Sequence, residues 1–199
     1  MPPSVARPAM LALLRSDTLA AHELTERIAV GTRFLEDPAA YHRYVRATYG
    51  FYAALEPSLA AAPGIEGALP DLDARRKLHL LDRDLRALGD DGAAIGSLPR
   101  CGALPELDAP ERAFGCAYVV EGATLGGRYI LDRVRRAGAA PERAQAFFGG
   151  YGAATGTMWR RFAGALEAFA TRHDPDAIVR GARETFAALG AWLVWCNAL

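Results

Sequence analysis

The sequence feature that most constrains this chain is a group of three glycines inside a segment that otherwise reads as a long helix, from about Asp108 to Arg136. The glycines are Gly122, Gly126 and Gly127, and each costs roughly 1 kcal/mol relative to alanine in a helix interior. Gly122 and Gly126 are four residues apart, so they share one helix face, with Gly127 beside them. The segment therefore predicts a helix with a strip free of side chains, against which a flat ligand or a second helix can lie, and at which the helix can bend.

Proline and glycine signals divide the rest of the chain into further helices, and no segment has the pattern of a strand. Asp37-Pro38 and Asp174-Pro175 each combine an N-cap residue with a proline suited to the first helical position. The predicted helices cover about residues 9–30, 38–62, 72–88, 108–136, 141–148, 153–171 and 175–199, and residues 90–107 are predicted to be a loop. The sequence therefore predicts an all-α fold, with one domain over residues 1–199 and a flexible stretch at 1–8.

Composition favours a water-soluble enzyme or binding protein over several other classes. Hydrophobic residues make up 51% of the 199 residues, and 23 basic side chains balance 23 acidic ones, so no net field points to nucleic acid or to an anionic membrane. Three cysteines without a CxxC pair do not suggest a disulfide framework or a zinc site. Because the sequence also has no signal-peptide pattern and no run of eighteen apolar residues, we expect a cytoplasmic protein without a membrane partner.

One of the four histidines, His22, lies in a pattern that suits ligand binding. Arg15, Thr18, His22 and Glu26 follow one another at spacings that place them on one face of the first helix. A ligating imidazole needs a partner for its second nitrogen, and a carboxylate one turn away supplies it directly or through water. Arg15 lies roughly 10 Å from His22 along the helix axis, at a rise of 1.5 Å per residue. This separation suits a basic group that binds the anionic edge of a ligand whose centre is held by His22. An exposed polar face without function is the alternative interpretation.

The histidine pattern and the glycine strip together match the needs of haem. A planar metal macrocycle requires an axial nitrogen on one side, an open backbone surface on the other, and cations near its carboxylate edge. A single proximal histidine with an unligated distal pocket is such an arrangement. Haem is therefore the ligand that we expect from the two patterns combined.

The motifs that carry these residues also resemble those of a known family. The stretch Leu14–His22 resembles the start of the proximal helix of haem oxygenases, and Tyr118–Gly127 resembles the distal-helix motif of the bacterial enzymes. The stretch Phe147–Gly156, followed by Trp159, is similar to the branch associated with bacteriophytochromes. The resemblance extends over about residues 11–192.

The resemblance implies a fold, a reaction and a set of site residues. Haem b would lie between a proximal helix and a kinked distal helix, as both substrate and cofactor. It would be opened to biliverdin, carbon monoxide and ferrous iron with O2 and electrons from an external donor, such as a ferredoxin or a flavoprotein reductase. The resemblance implies His22 as the iron ligand. It implies three glycines at the distal face of the haem, namely Gly122, Gly126 and Gly127. The further residues implied around the haem are Arg15, Thr18, Glu26, Tyr52, Tyr118 and Ala123.

The sequence departs from the family pattern at Ala123, where bacterial relatives commonly have serine and the animal enzymes have an acidic residue. An alanine side chain neither donates nor accepts a hydrogen bond, so water near bound oxygen would depend on other groups. A haem-binding carrier that does not degrade haem is therefore the alternative function, and the related helical fold also includes thiaminase-like members that do not use haem. Arg160 and Arg180 are both candidates for further contacts to the haem propionates.

Overall fold

The computed structural model describes residues 9–198, and within that range the fold is built from helices without a strand. The helices are α1 (Met10–Gly31), α2 (Pro38–Ala60), α3 (Ile65–Ala68), α4 (Leu78–Ala87), α5 (Gly92–Ser97), α6 (Pro110–Ala137), α7 (Ala146–Gly149), α8 (Thr155–Ala170) and α9 (Pro175–Asn197). Single turns of 3-10 helix occupy residues 73–75, 142–144 and 152–154. The prediction of an all-α fold is confirmed, whereas the predicted flexibility of residues 1–8 concerns a part of the chain outside the described residues.

The long helices begin and end where local signals predict. The Asp37 carboxylate accepts a hydrogen bond from the Ala40 N–H at the start of α2, and Asp174 caps α9 in the same way. Gly138 ends α6 in a left-handed conformation with φ 64°. This helix passes through the predicted glycine segment without interruption.

Three predicted boundaries are wrong, and contacts from distant segments explain two of them. The predicted helix 72–88 is a 3-10 turn followed by α4, and α4 begins where the Glu56 carboxylate of α2 accepts the Leu78 N–H. The predicted helix 141–148 is likewise divided, since the buried Asp84 carboxylate accepts the two N–H groups that open α7. The predicted loop 90–107 contains α5, which Asp91 caps.

Helix α9 lies at the centre of the packing. Both α1 and α6 pack along it, but they come close to each other at few points. The contact between α6 and α9 is a backbone contact: a Cβ added at Gly115 would lie 2.0 Å from the Ile178 carbonyl oxygen, and one added at Gly181 would lie 2.2 Å from the Arg112 oxygen. The close packing of α6 on α9 therefore occurs at Gly115, a fourth glycine of this helix that the sequence interpretation had passed over.

None of the helices formed by residues 9–198 is both long enough and apolar enough to cross a membrane.

Candidate functional site

The predicted face of α1 is largely open to solvent. Arg15, His22 and Glu26 are exposed, whereas Thr18 of the same face is buried. The His22 ring packs edge-on against Phe186 of α9, with the ring centroids 5.6 Å apart. The helix α9 thus supports one side of the imidazole while the rest of the ring remains accessible. In the described part of the chain, no direct hydrogen bond joins His22 to Glu26.

The first half of the α1 face meets α6 at Tyr118. Burial raises the pKa of the Tyr118 hydroxyl, and the neighbouring Thr18 hydroxyl and the positive charge of Arg15 oppose that shift. Thr18 is itself buried, and its hydroxyl donates to the Leu14 carbonyl at 2.7 Å. The structure therefore brings Arg15, Thr18 and Tyr118 together at one end of the space between α1 and α6.

The three predicted glycines of α6 divide into two groups. A Cβ added at Gly122 or Gly126 would meet no heavy atom within 4 Å, so the helix is bare and open at both positions. A Cβ added at Gly127 would lie 2.5 Å from the Phe148 carbonyl oxygen, so this glycine is needed for the close approach of α7. We call Gly122 and Gly126 the open strip.

Large apolar side chains remain exposed around the open strip and around His22. Leu19 is 52% exposed and Val30 is 45% exposed on α1, at helical spacings of three and eight residues from His22. Leu125 and Tyr129 of α6, which are 42% and 69% exposed, share a helix face with the open strip. Exposed apolar side chains beside a bare helix face and an accessible imidazole suit a surface that an apolar ligand covers.

These features fit haem. The exposed imidazole of His22 would offer an axial nitrogen, the exposed aliphatic side chains suit an apolar macrocycle, and the open strip would admit a flat group close to the α6 backbone. Arg15 and Tyr118 provide a cation and a hydroxyl group at one end, as carboxylate groups at the edge of the macrocycle would require. The fit rests on the two helices that the sequence analysis singled out.

Of the two further predicted residues, Tyr52 and Ala123, neither belongs to the open strip itself. Tyr52 is buried in the core, where its ring stands edge-on to Phe147 at 5.3 Å. Burial raises its pKa well above the ordinary value, and the negative charges of Glu56 and Glu121 add to this effect. Tyr52 therefore lies near the buried side of α6. Ala123 is exposed beside Gly122.

Sequence reasoning missed a buried charged cluster behind α6. Glu121, Arg75 and Lys77 are 3%, 4% and 0% exposed, and Tyr151 hydrogen-bonds to this group. Arg75 and Lys77 belong to a run of three basic residues, and such runs usually lie on a solvated surface. The one available signal was Glu121 itself, a carboxylate directly before Gly122 in a helix whose other neighbours are apolar.

Comparison with known proteins identifies the fold and the family of this chain. The chain has a TM-score of 0.80 with the NO- and CO-bound heme oxygenase from Neisseria meningitidis, at 21% identity over 97% of this chain and 94% of that one. It has a TM-score of 0.69 with heme oxygenase from Leptospira interrogans, at 16% identity over 93% of this chain and 98% of that one. At these identities the likeness shows the fold, and no curated protein gave a significant match. The family model described as heme oxygenase matches residues 9–194, and the chain therefore belongs to the haem oxygenase family.

Proposed function

We propose that this protein binds haem between α1 and α6 and opens it oxidatively to biliverdin, carbon monoxide and ferrous iron. The observation that carries the proposal is the accessible imidazole of His22 on α1, together with the open strip on α6, in a chain of the haem oxygenase family. Haem is the substrate, and when bound it supplies the iron that activates dioxygen and the ring that is cleaved.

The side chains of the site have distinct roles in this proposal. The imidazole of His22 would hold the iron on the proximal side. Arg15 and Tyr118 orient the macrocycle by binding its carboxylate groups at the end where α1 and α6 meet. The apolar side chains of Leu19 and Leu125 help to exclude water from the ring. The open strip lets the α6 backbone approach the distal face more closely than any side chain would allow.

The reaction needs two partners that the chain does not itself provide, O2 and an electron donor. We propose a ferredoxin or a flavoprotein reductase as the donor. Because Ala123 has no polar atom in its side chain, water near the bound oxygen would be held by backbone groups of α6. Arg160 and Arg180 are both exposed, so the choice between them as further propionate ligands stays open. The cytoplasmic location and the bacteriophytochrome-associated branch also stay predictions.

The second candidate function is a haem carrier that uses the same site without cleaving the ring. The observation that favours it is Ala123, which lacks the polar group most relatives have at this position. Both functions require haem binding at His22, so a binding measurement alone does not distinguish them.

The test of the proposed function combines a hemin titration with a turnover assay. Wild-type protein is expected to bind hemin at about one to one, as a single histidine ligand implies. His22→Ala is expected to change the ligand-field bands, because the axial imidazole is lost. His79→Ala is the matched control, since His79 is also exposed but lies on α4. Identical spectra for wild type and His22→Ala would contradict the assignment of the iron ligand.

In the turnover assay, reductant, O2 and catalase are added to the hemin complex. An oxygenase bleaches the Soret band, produces the red absorbance of biliverdin and releases carbon monoxide. Catalase removes free peroxide, which would otherwise attack haem without the enzyme. A stable ferrous or oxygenated complex with a closed ring, obtained with several electron donors, would instead identify the protein as a carrier.

A further inference from the structure

Glu121 is a carboxylate that α6 buries completely and that three other side chains hold. Its Oε2 atom accepts a hydrogen bond from Arg75 Nη1 at 2.6 Å. Its Oε1 atom accepts from Lys77 Nζ at 3.1 Å and from the Tyr151 hydroxyl at 2.6 Å. Buried charges are tolerated where they are paired and hydrogen-bonded, so the carboxylate is stable in this position because of these partners.

The two cations are also fully bonded. The guanidinium of Arg75 donates to both oxygens of Asp71, at 2.7 and 2.8 Å, and to the Met158 carbonyl. The ammonium of Lys77 donates to the Arg75 carbonyl, to Glu121 and to the Tyr151 hydroxyl, which accounts for its three N–H groups. Burial lowers the pKa of Lys77, and the Glu121 charge opposes that shift. The cluster is therefore a closed network of hydrogen bonds.

The partners of Glu121 come from two segments that flank α6 in space. Arg75 and Lys77 belong to the segment before α4, and Tyr151 follows α7. Helix α7 also supplies the Phe148 carbonyl oxygen that approaches Gly127. Around the open strip, α6 is thus held at two further points besides its contact with α9, by the Glu121 cluster before the strip and by the Gly127 contact after it.

These two contacts act together with the backbone contact of Gly115 with α9 to fix how α6 is turned about its own axis. Successive residues of an α-helix are about 100° apart, so Glu121 and Gly122 point in different directions. A rotation of α6 by about 60° would bring the Leu125 side chain to the direction that Gly122 now has. The large side chain would then occupy the surface that is now bare. The strip stays open only if the helix keeps its present rotation.

We propose that Glu121, bound by Arg75, Lys77 and Tyr151, is a positioning residue that fixes the rotation of α6 and keeps the open strip available to the haem substrate. The inference rests on the proposed function for the identity of the ligand. The cluster itself consists only of residues of this chain, and no ligand is needed to form it. The proposal can therefore be tested in both states.

The principal variant is Tyr151→Phe, which removes one hydroxyl group and leaves the buried charges paired. Tyr49→Phe is the matched control, because Tyr49 lies on α2 with the Arg100 guanidinium 4.8 Å from its ring centroid, outside the cluster. In the protein without haem, Tyr151→Phe is expected to speed hydrogen exchange at the amides of residues 122–127 by about tenfold, as the loss of a hydrogen bond to a charged group implies. Unchanged exchange in this segment would overturn the proposal.

With hemin, Tyr151→Phe is expected to weaken binding by about tenfold, to shift the C–O stretching frequency of the ferrous carbonyl complex, and to change the proportions of the biliverdin isomers. Glu121→Gln is expected to have larger effects in the same directions. A cluster that merely stabilises the fold would lower the melting temperature of both variants and leave the carbonyl frequency and the isomer proportions as in wild type, which would overturn the proposal.

The outcomes also separate this inference from the proposed function. If the wild-type protein failed to bind hemin, the proposed function would be wrong, and the exchange experiment would still decide whether Glu121 positions α6. If the wild type bound and cleaved haem while both variants matched it in exchange, carbonyl frequency and isomers, the positioning role alone would be wrong.

Discussion

Gly126 and Gly127 are neighbours in α6, and their surroundings lead to opposite predictions for the same substitution. Gly126→Ala is expected to stabilise the haem-free protein by up to about 1 kcal/mol, because alanine favours a helix over glycine and the new Cβ meets no atom within 4 Å. Gly127→Ala is expected to destabilise it by about 1–3 kcal/mol, because its Cβ would lie 2.5 Å from the Phe148 oxygen. Urea unfolding of the two haem-free variants measures both changes.

The pair contains its own control, since both variants add one methyl group to adjacent positions of the same helix. The effects on hemin binding are expected to be reversed. Gly126→Ala is expected to weaken hemin binding, because its methyl group lies on the open strip, whereas the methyl group of Gly127→Ala does not. Equal stability changes for the two variants would contradict the division of the glycines into an open strip and a packing contact.

The sequence predicted which residues share a helix face, because a period of 3.6 residues places His22 and Arg15 on one face of α1, and Gly122 and Gly126 on one face of α6. The surroundings of each face were not predictable in this way. Spacing along one helix carries no information about which other segment covers it, and so Gly127 was grouped with the open positions. For the same reason the sequence did not reveal that Glu121 pairs with a lysine 44 residues away.

Between elements, the contact of α6 with α9 leads to a prediction of non-additivity. Gly115→Ala and Gly181→Ala are each expected to lower the free energy of unfolding by about 2 kcal/mol or more, because each Cβ would overlap backbone atoms of the facing helix. Either substitution forces the same two helices apart, so the second methyl group meets a gap that the first has already opened. The double variant is therefore expected to lose clearly less than the sum of the two single losses.

Urea unfolding of the wild type, the two single variants and the double variant measures this coupling. Gly164→Ala is a suitable control, because a Cβ at this helical position of α8 meets no heavy atom within 4 Å. Strict additivity of the two losses would contradict the view that both glycines serve one contact.

The start of a helix could be predicted where its capping residue is adjacent in sequence, and not where the capping group comes from a distant segment. Local signals set the starts of α2 and α9, where Asp37 and Asp174 each precede a proline. The starts of α4 and α7 depend instead on Glu56 and Asp84, carboxylates from other parts of the chain that bind the first N–H groups of these helices. A capping residue can be recognised in sequence only if it is adjacent to the helix that it caps.

At the scale of the whole molecule, the arrangement of α1 and α6 predicts a large effect of the ligand on stability. Both helices pack on α9, but they come close to each other at few points. A haem bound between them would add contacts to both, including the bond to His22. Because hemin in this site binds the folded chain, it is expected to raise the free energy of unfolding by about 2.7 kcal/mol at a free concentration of 100 times its Kd.

For a chain of this size, that stabilisation corresponds to an increase in Tm of about 5–10 °C, which circular dichroism measures with and without hemin. Gly126→Leu, which fills the open strip, is expected to unfold near the wild-type temperature without hemin and to show little increase with it. His22→Ala is expected to show a smaller increase than wild type, because the macrocycle keeps its apolar contacts and loses its axial bond. If hemin raised the Tm of Gly126→Leu as much as that of wild type, haem would bind elsewhere on the molecule, and the site between α1 and α6 would have to be abandoned.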